Sequence, residues 1–313
     1  MPDARGATTE TALAFESTYG TPPASGFFTI PFVQNTLGEM QGRVPDDLLG
    51  VGNDPLESTA DVIEVKGGMV VPVGVESFGL WLKLLLGDPG TTGSAPYTHV
   101  FESGSSDILS ASIEKGHPEV PLYTMYSGVV ANGMNIDMAF GRGQKLTCSF
   151  DLMGQGFASE ATSDAGTLAT LSTERFSHAN GSILRDGSAA KLLSASVKYT
   201  KNLEAVEAIR ADGLVDHFSP GKTALTGQVR ARFADTAMYD LAVAGTAMAL
   251  TFDWEISAGK KLTIAAPNSH LTVPKREVQG PNGVDVTFDF TSALQTNGEP
   301  MMVVTLVNEK ASY

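Results

Sequence analysis

Strict apolar–polar alternation, present twice in nearly the same form, constrains this chain more than any other feature. Gly133-Met134-Asn135-Ile136-Asp137-Met138-Ala139-Phe140 alternates residue by residue, and Gly283-Val284-Asp285-Val286-Thr287-Phe288-Asp289-Phe290 repeats the pattern further on. A side-chain period of two marks a strand with one buried face and one wet face. A second echo lies upstream in each half. Strand-like Gly67 to Val73 leads into an apolar helical stretch, Val75 to Leu86, closed by Gly87. Gly227 to Phe233 likewise leads into Asp235 to Ala244, closed by Gly245. The shared order implies one β-rich module used twice, although alternation with glycine also recurs by chance in β chains. Two similar units suit a scaffold or assembly subunit better than an enzyme.

At 313 residues the chain can hold two domains, each burying its own core. Its 33 glycines and 16 prolines are spread out, which suits many short strands and turns. The longest apolar stretch, Phe78 to Leu86, contains Lys83 and is far too short to span a bilayer. Met1 to Glu10 lacks the basic start and apolar core of a secretory leader, so the protein is expected to stay where it is made. Cys148, the only cysteine, excludes an intramolecular disulfide and a multi-thiolate metal site, and it reads as a small strand residue. A formal charge of −14 without clustered Lys and Arg argues against gripping nucleic acid through its phosphates.

The expected organisation is mainly β: two tandem β-sandwich or barrel modules, each with one short flanking helix and a long projecting loop. The first module covers 1–153, a linker rich in Ala, Ser, Thr and Gly covers 154–175, and the second module covers 176–313. The apolar positions Val75, Phe78, Leu82, Leu85 and Leu86 share one helical face, and Gly87-Asp88-Pro89-Gly90 stops the helix. Asn132-Gly133 and Gly141-Arg142-Gly143 read as tight hairpin turns. Val44 to Lys66 and Lys201 to Lys222 are polar excursions too long for simple turns.

Motifs that carry chemistry are scarce. Gly221-Lys222-Thr223 resembles the end of a phosphate loop, but Asp216 stands where the earlier glycine is needed. The five histidines, His99, His117, His178, His217 and His270, show no metal-ligand spacing, and no Gly-x-Ser-x-Gly elbow occurs. Asp46-Asp47, Asp253 with Glu255, and Asp285 with Asp289 are carboxylate pairs of a kind that 35 acidic residues supply anyway. No cofactor, metal or catalytic set is expected.

Several segments taken in order resemble the tail tube (major tail) proteins of long-tailed, siphophage-type bacteriophages. They are Ala14-Phe15-Glu16-Ser17-Thr18-Tyr19-Gly20-Thr21-Pro22-Pro23, then Gly67-Gly68 leading to Gly79-Leu80-Trp81-Leu82-Lys83-Leu84-Leu85-Leu86-Gly87. Leu109 to Glu114, Lys145 to Leu152 and Gly259 to Asn268 continue the pattern over nearly the whole chain. The resemblance implies a structural virion protein without enzymatic activity, whose rings stack into a hollow tube that conducts DNA into the host. It implies self-association and contact with the terminator, tape measure and distal tail proteins. Residence would be the phage tail, and the host cytoplasm during assembly. With two modules per chain, three chains would complete a pseudo-sixfold ring; the rival is a ring of six chains.

Under this reading Asp137, Asp151, Asp285 and Asp289, on polar strand faces, are candidates for an acidic lumen that repels phosphates. The two long excursions are candidate inter-ring arms, carrying Val44, Asp46, Asp47, Asp54 and Glu57 in the first. The second carries Glu204, Glu207, Arg210, Asp216 and Lys222. The alternative reading is a virion decoration or carbohydrate-binding β-sandwich, which calls for an exposed aromatic platform. The chain offers only Trp81 and Trp254 for one.

Overall fold

The computed structural model describes residues 3–50, 52–139, 145–277 and 283–313. The first half contains β1 (Glu10–Phe15), β2 (Phe28–Thr29), β3 (Gln34–Asn35), β4 (Gly38–Val44) and β5 (Thr59–Pro72). Helix α1 (Phe78–Leu86) follows, then β6 (Gly90–Gly93), β7 (Tyr97–Glu102), β8 (Ala111–His117), β9 (Leu122–Ala139), β10 (Thr147–Gly154) and β11 (Gly156–Glu160). The second half opens with β12 (Gly181–Arg185), β13 (Ser188–Ala189), β14 (Leu192–Thr200), β15 (Glu204–Val206), β16 (His217–Ser219) and β17 (Ala224–Arg232). Helix α2 (Ala237–Ala244), β18 (Met248–Ser257), β19 (Lys260–Leu271), β20 (Asp285–Ser292) and β21 (Val303–Asn308) complete it. The protein is mainly β, and every ladder between these strands is antiparallel.

One strand order occurs twice. In the first half hydrogen-bonded neighbours run β1, β8, β9, β10, β5, β4. In the second half they run β12, β18, β19, β20, β17, β14. Both sets appear in the same chain order, with a long excursion before β5 and β17 and a helix after each. The equivalence is residue-accurate around the first ladder. Gln34 lies opposite Val70 and Glu39 opposite Val65, while Ser194 lies opposite Arg230 and Tyr199 opposite Leu225. A single constant offset along the chain carries each of the first four positions onto its counterpart.

This register corrects one of the two sequence echoes. Gly67 and Gly227 are counterparts, and they face Leu152 and Phe290, so β20 corresponds to β10 and not to β9. Ser149-Phe150-Asp151-Leu152 therefore matches Thr287-Phe288-Asp289-Phe290. Alternation alone could not decide, because every half-buried strand of the sheet carries the same period. Asn132-Gly133 is a second correction: it forms no hairpin but lies inside β9, where the register to β10 shifts by one residue. Glycine is needed there because a Cβ at 133 would lie 2.8 Å from the Tyr199 carbonyl oxygen of β14. The expected turn at Gly141-Arg142-Gly143 lies outside the described residues. Residues 156–160 of the expected linker form β11, paired with β9.

The halves meet where β14 pairs with residues 133–139 of β9, Ala139 facing Ser194 and Gly133 facing Thr200. A second junction pairs β21 with β7. Cys148, Phe150 and Leu152 of β10, Met134, Ile136 and Met138 of β9, and Val197 and Tyr199 of β14 turn to one side and are buried. Val229 of β17 and Val286, Phe288 and Phe290 of β20 continue that apolar face across the seam. Helix α1 closes it over β10: eight of its nine residues are buried, and Trp81 stacks on Phe150 with ring centroids 5.1 Å apart. Helix α2 buries only Ala242.

Cys148 lies within this core, and burial pushes its thiol pKa up. A buried thiol with little thiolate is a poor nucleophile. Native protein is expected to react with a maleimide or disulfide reagent only after denaturation; rapid native labelling would contradict this packing.

Candidate functional site

The four carboxylates singled out in the sequence all lie on the opposite, polar face of the β5–β10–β9–β14–β17–β20 sheet. Asp137 faces Ser196, Ser196 faces Gln228, and Gln228 faces Asp289, so one transverse row joins two of the four across both halves. Asp151 lies opposite Gly133, and Asp285 opposite Arg232. Period-two alternation places them there, since each sits between two core residues of its strand. Asp137, Asp151 and Asp289 are exposed and Asp285 half-buried.

None of the four is a bare charge. Asn132 Nδ2 donates to Asp151 at 2.8 Å, Asn135 Nδ2 to Asp137 at 3.0 Å, and Gln228 Nε2 to Asp289 at 2.8 Å. Arg230 and Arg232 each donate to one oxygen of Asp285 at 2.8 Å. Burial works to raise the Asp285 pKa, but the Arg232 and Arg230 guanidiniums outweigh it and hold the carboxyl below its usual range. The same face carries Lys66 and Lys198, with Glu64 3.8 Å from Lys66, so five carboxylates stand against four cations. Most of the surplus of negative charge in the chain therefore lies elsewhere, and the remaining face is largely Ser, Thr and Gln.

The two excursions leave the same end of this sheet, because β4–β5 and β14–β17 are equivalent hairpins. The first is a hairpin extended to Val44 opposite Thr59, with residues 45–58 beyond it. Asp46 accepts the Leu56 amide at 3.3 Å, Glu57 pairs loosely with Arg43 at 3.7 Å, and Asp47 and Asp54 are exposed. Large apolar side chains stand in solvent along it: Met40, Val44, Leu48, Leu49, Leu56 and Val62, with Leu49 96% exposed. Exposed apolar clusters of this kind mark contact surfaces.

The second excursion contains the small β15–β16 hairpin, with Glu204 at its first position. It lies back on the body: Leu203 and Phe218 pack with Val130, and Gln155 Nε2 donates to the Asp216 carbonyl at 3.0 Å. Its tip touches the first excursion, where the Ile63 amide donates to the Gly213 carbonyl at 3.3 Å. Arg210 bridges Asp212 and Asp216, and its hydrogen bonds hold the Asp212 carboxyl down to about 2. That clamp is present above the ordinary carboxylate range and is lost as pH falls towards 2. Glu207 and Lys222 are exposed, and Gly221-Lys222-Thr223 runs into strand β17, where a phosphate loop needs a helix.

One organising residue stood out in the sequence only as the acidic residue ahead of the Gly20-Thr21-Pro22 turn. Glu16 accepts the Gly20 and Gly128 amides and the Ser110 and Ser112 hydroxyls, tying the 17–23 turn to β8 and β9. Trp81 and Trp254 are both buried, so neither forms a binding platform. Among the described residues, no cluster of three or more His, Cys, Asp or Glu is placed to hold a metal ion. No helix among them is long and apolar enough to cross a membrane.

A family model described as phage tail tube protein matches residues 6–292, from the turn before β1 to the end of β20. The chain belongs to the phage tail tube family. No curated protein matches it. As a member of this family it is a structural component of the phage virion that builds the tail tube and assembles with other copies of itself and with other tail proteins.

Proposed function

We propose that this tail tube protein forms rings of three chains, each chain supplying two tube modules, 1–153 and 176–313, to a pseudo-sixfold ring. The repeated strand order, with β14 seated on β9 in one continuous sheet, carries this reading. A seam built inside the chain is the natural template for the seam between chains, and ring closure removes sheet edges that otherwise invite uncontrolled pairing.

The polar face is proposed to line the lumen, with Asp137, Asp151, Asp285 and Asp289 upon it. Its charge balance suggests how DNA passes without being held. Asp285 occupies both Arg230 and Arg232, the two cations best placed to grip phosphates together, and hydroxyl and amide groups cover much of the rest. A lumen of this kind offers no deep electrostatic minimum, since tight phosphate binding needs free clustered cations. The two excursions are proposed as the arms that reach a neighbouring ring. Because they leave the same end of equivalent hairpins, three extended arms and three docked ones would lie at one rim of a three-chain ring, with Val44, Asp46, Asp47, Asp54 and Glu57 outermost. Glu204, Glu207, Arg210, Asp216 and Lys222 would support them from the docked arm. No catalytic role is proposed. The terminator, tape measure and distal tail proteins are the proposed heterologous partners, and assembly would occur in the host cytoplasm.

Electron microscopy with mass measurement on purified protein tests the reading. Hollow rings, or stacks of them, are expected at three times the chain mass of 32.8 kDa. Rings of six times the chain mass would replace three chains by six, and a protein that stays monomeric at high concentration would overturn self-assembly without a partner.

A further inference from the structure

We propose that neighbouring chains join by pairing the outer edge of residues 37–40 of one chain with residues 273–276 of the next, in the register of the internal β14–β9 seam. The inference rests on the ring reading above, and names the two edges that a ring must bring together.

Residues 34–40 are the counterpart of 194–200, since both make the same register with the strand that follows them. Residues 194–200 have strands on both sides, β17 and β9. Residues 34–40 pair with β5 alone, leaving the edge equivalent to the seam without a strand. The other half of the junction follows similarly. Leu152 faces Ala131 and Met153 faces Val130, whereas their counterparts Phe290 and Thr291 face Leu271 and His270. Ala131 and Val130 thus correspond to Leu271 and His270. By the same offset, the seam segment beginning at Gly133 corresponds to the segment beginning at Val273, and among the described residues no strand pairs with it. The Thr272 amide donates to the Asp289 carbonyl at 2.8 Å, so this segment leaves β20 where β9 leaves β10.

Transferring the internal pair Lys198 with Asn135 places Gly38 opposite Lys275. The same register sets Met40, 66% exposed, against Val273, 49% exposed, so two apolar side chains now in water would cover each other. The backbone groups of Leu37 point to the seam, because the adjacent Thr36 amide donates to Gly68 on β5. In the single chain they are held by side chains alone: the Leu37 amide by Asn35 Oδ1 at 3.0 Å, its carbonyl by Lys115 Nζ at 2.6 Å. Those caps guard the edge until a partner strand replaces them. Glu39 falls opposite Pro274, which can accept its amide but has no N–H to return. The interchain ladder is therefore thinner than the internal one.

Disulfide trapping tests the seam. Gly38 and Lys275 form a pair whose backbone bonds point away from each other, with Cα atoms ~4.5 Å apart, inside the disulfide range. A Cβ at Gly38 meets nothing closer than the Thr36 carbonyl oxygen at 3.8 Å. Assembled tubes of the G38C/K275C double variant, oxidised and then denatured without reductant, are expected to run as covalent dimers and trimers; neither single variant should. Double-variant tubes that form but give no cross-link would overturn this seam and leave the tube reading standing. A wild-type protein that forms no rings would overturn both.

Discussion

A chain in which residues 45–58 are replaced by Asn-Gly is expected to fold normally and to lose tube formation. Val44 already pairs with Thr59, so a two-residue turn closes the shortened hairpin in a favoured geometry. None of the described residues of the deleted segment is buried, and its removal should leave the melting temperature nearly unchanged. It does carry Leu48, Leu49 and Leu56, all exposed in the single chain. Burying such side chains against a neighbour is worth roughly 1.5–3 kcal/mol each when complete. Losing three should raise the critical concentration for stacking by about 100-fold or more, at one factor of ten per ~1.4 kcal/mol. Sedimentation and microscopy across a concentration series measure this. Tubes of normal length at the wild-type concentration would remove the first arm from any role between rings.

The largest stability effect is expected at Trp81→Ala. Trp81 is 1% exposed, stacks on Phe150, and belongs to a helix with eight buried residues. Emptying a site of that size in a close-packed core typically costs ~3–5 kcal/mol, because the surroundings relax only partly. Folded proteins are stable by only about 5–15 kcal/mol in total, so the variant should melt roughly 10 °C lower and accumulate insoluble protein. Val243→Ala is the matching control in α2. Val243 is 59% exposed, and its loss should change stability by less than ~0.5 kcal/mol. Calorimetry on the pair separates the helices. Equal effects at the two positions would contradict the unequal burial of α1 and α2.

That inequality shows why some elements were legible in the sequence and others were not. Helix α1 announces itself by an apolar face broad enough to be buried on several sides, and by Gly87 at its end. The alternation in Lys145–Leu152 and Gly283–Phe290 likewise specified which residues face inward, and all four candidate aspartates lie on the face it assigned them. Strand β12 was missed because five residues with Ile183 and Leu184 at the centre carry too little pattern; its pairing with β18 makes it a strand. Asn132-Gly133 misled because the dipeptide that favours a tight turn also permits close approach of another backbone, and here β14 makes that approach.

The sequence by itself determined most of the longer strands, their inward and outward faces, the first helix and the family to which the chain belongs. These are written in side-chain periodicity and local conformational preference, which act over a few residues. The tertiary structure alone decided which strands are partners: that β20 answers to β10, that β14 closes on β9, and that among the described residues no strand pairs with the outer edge of 37–40 or with 273–276. Ladders are built from backbone amides and carbonyls that every residue shares, so side-chain pattern does not name the neighbour. The polar face also acquired its charge balance only in three dimensions, where Arg230 and Arg232 meet Asp285 across the β17–β20 ladder.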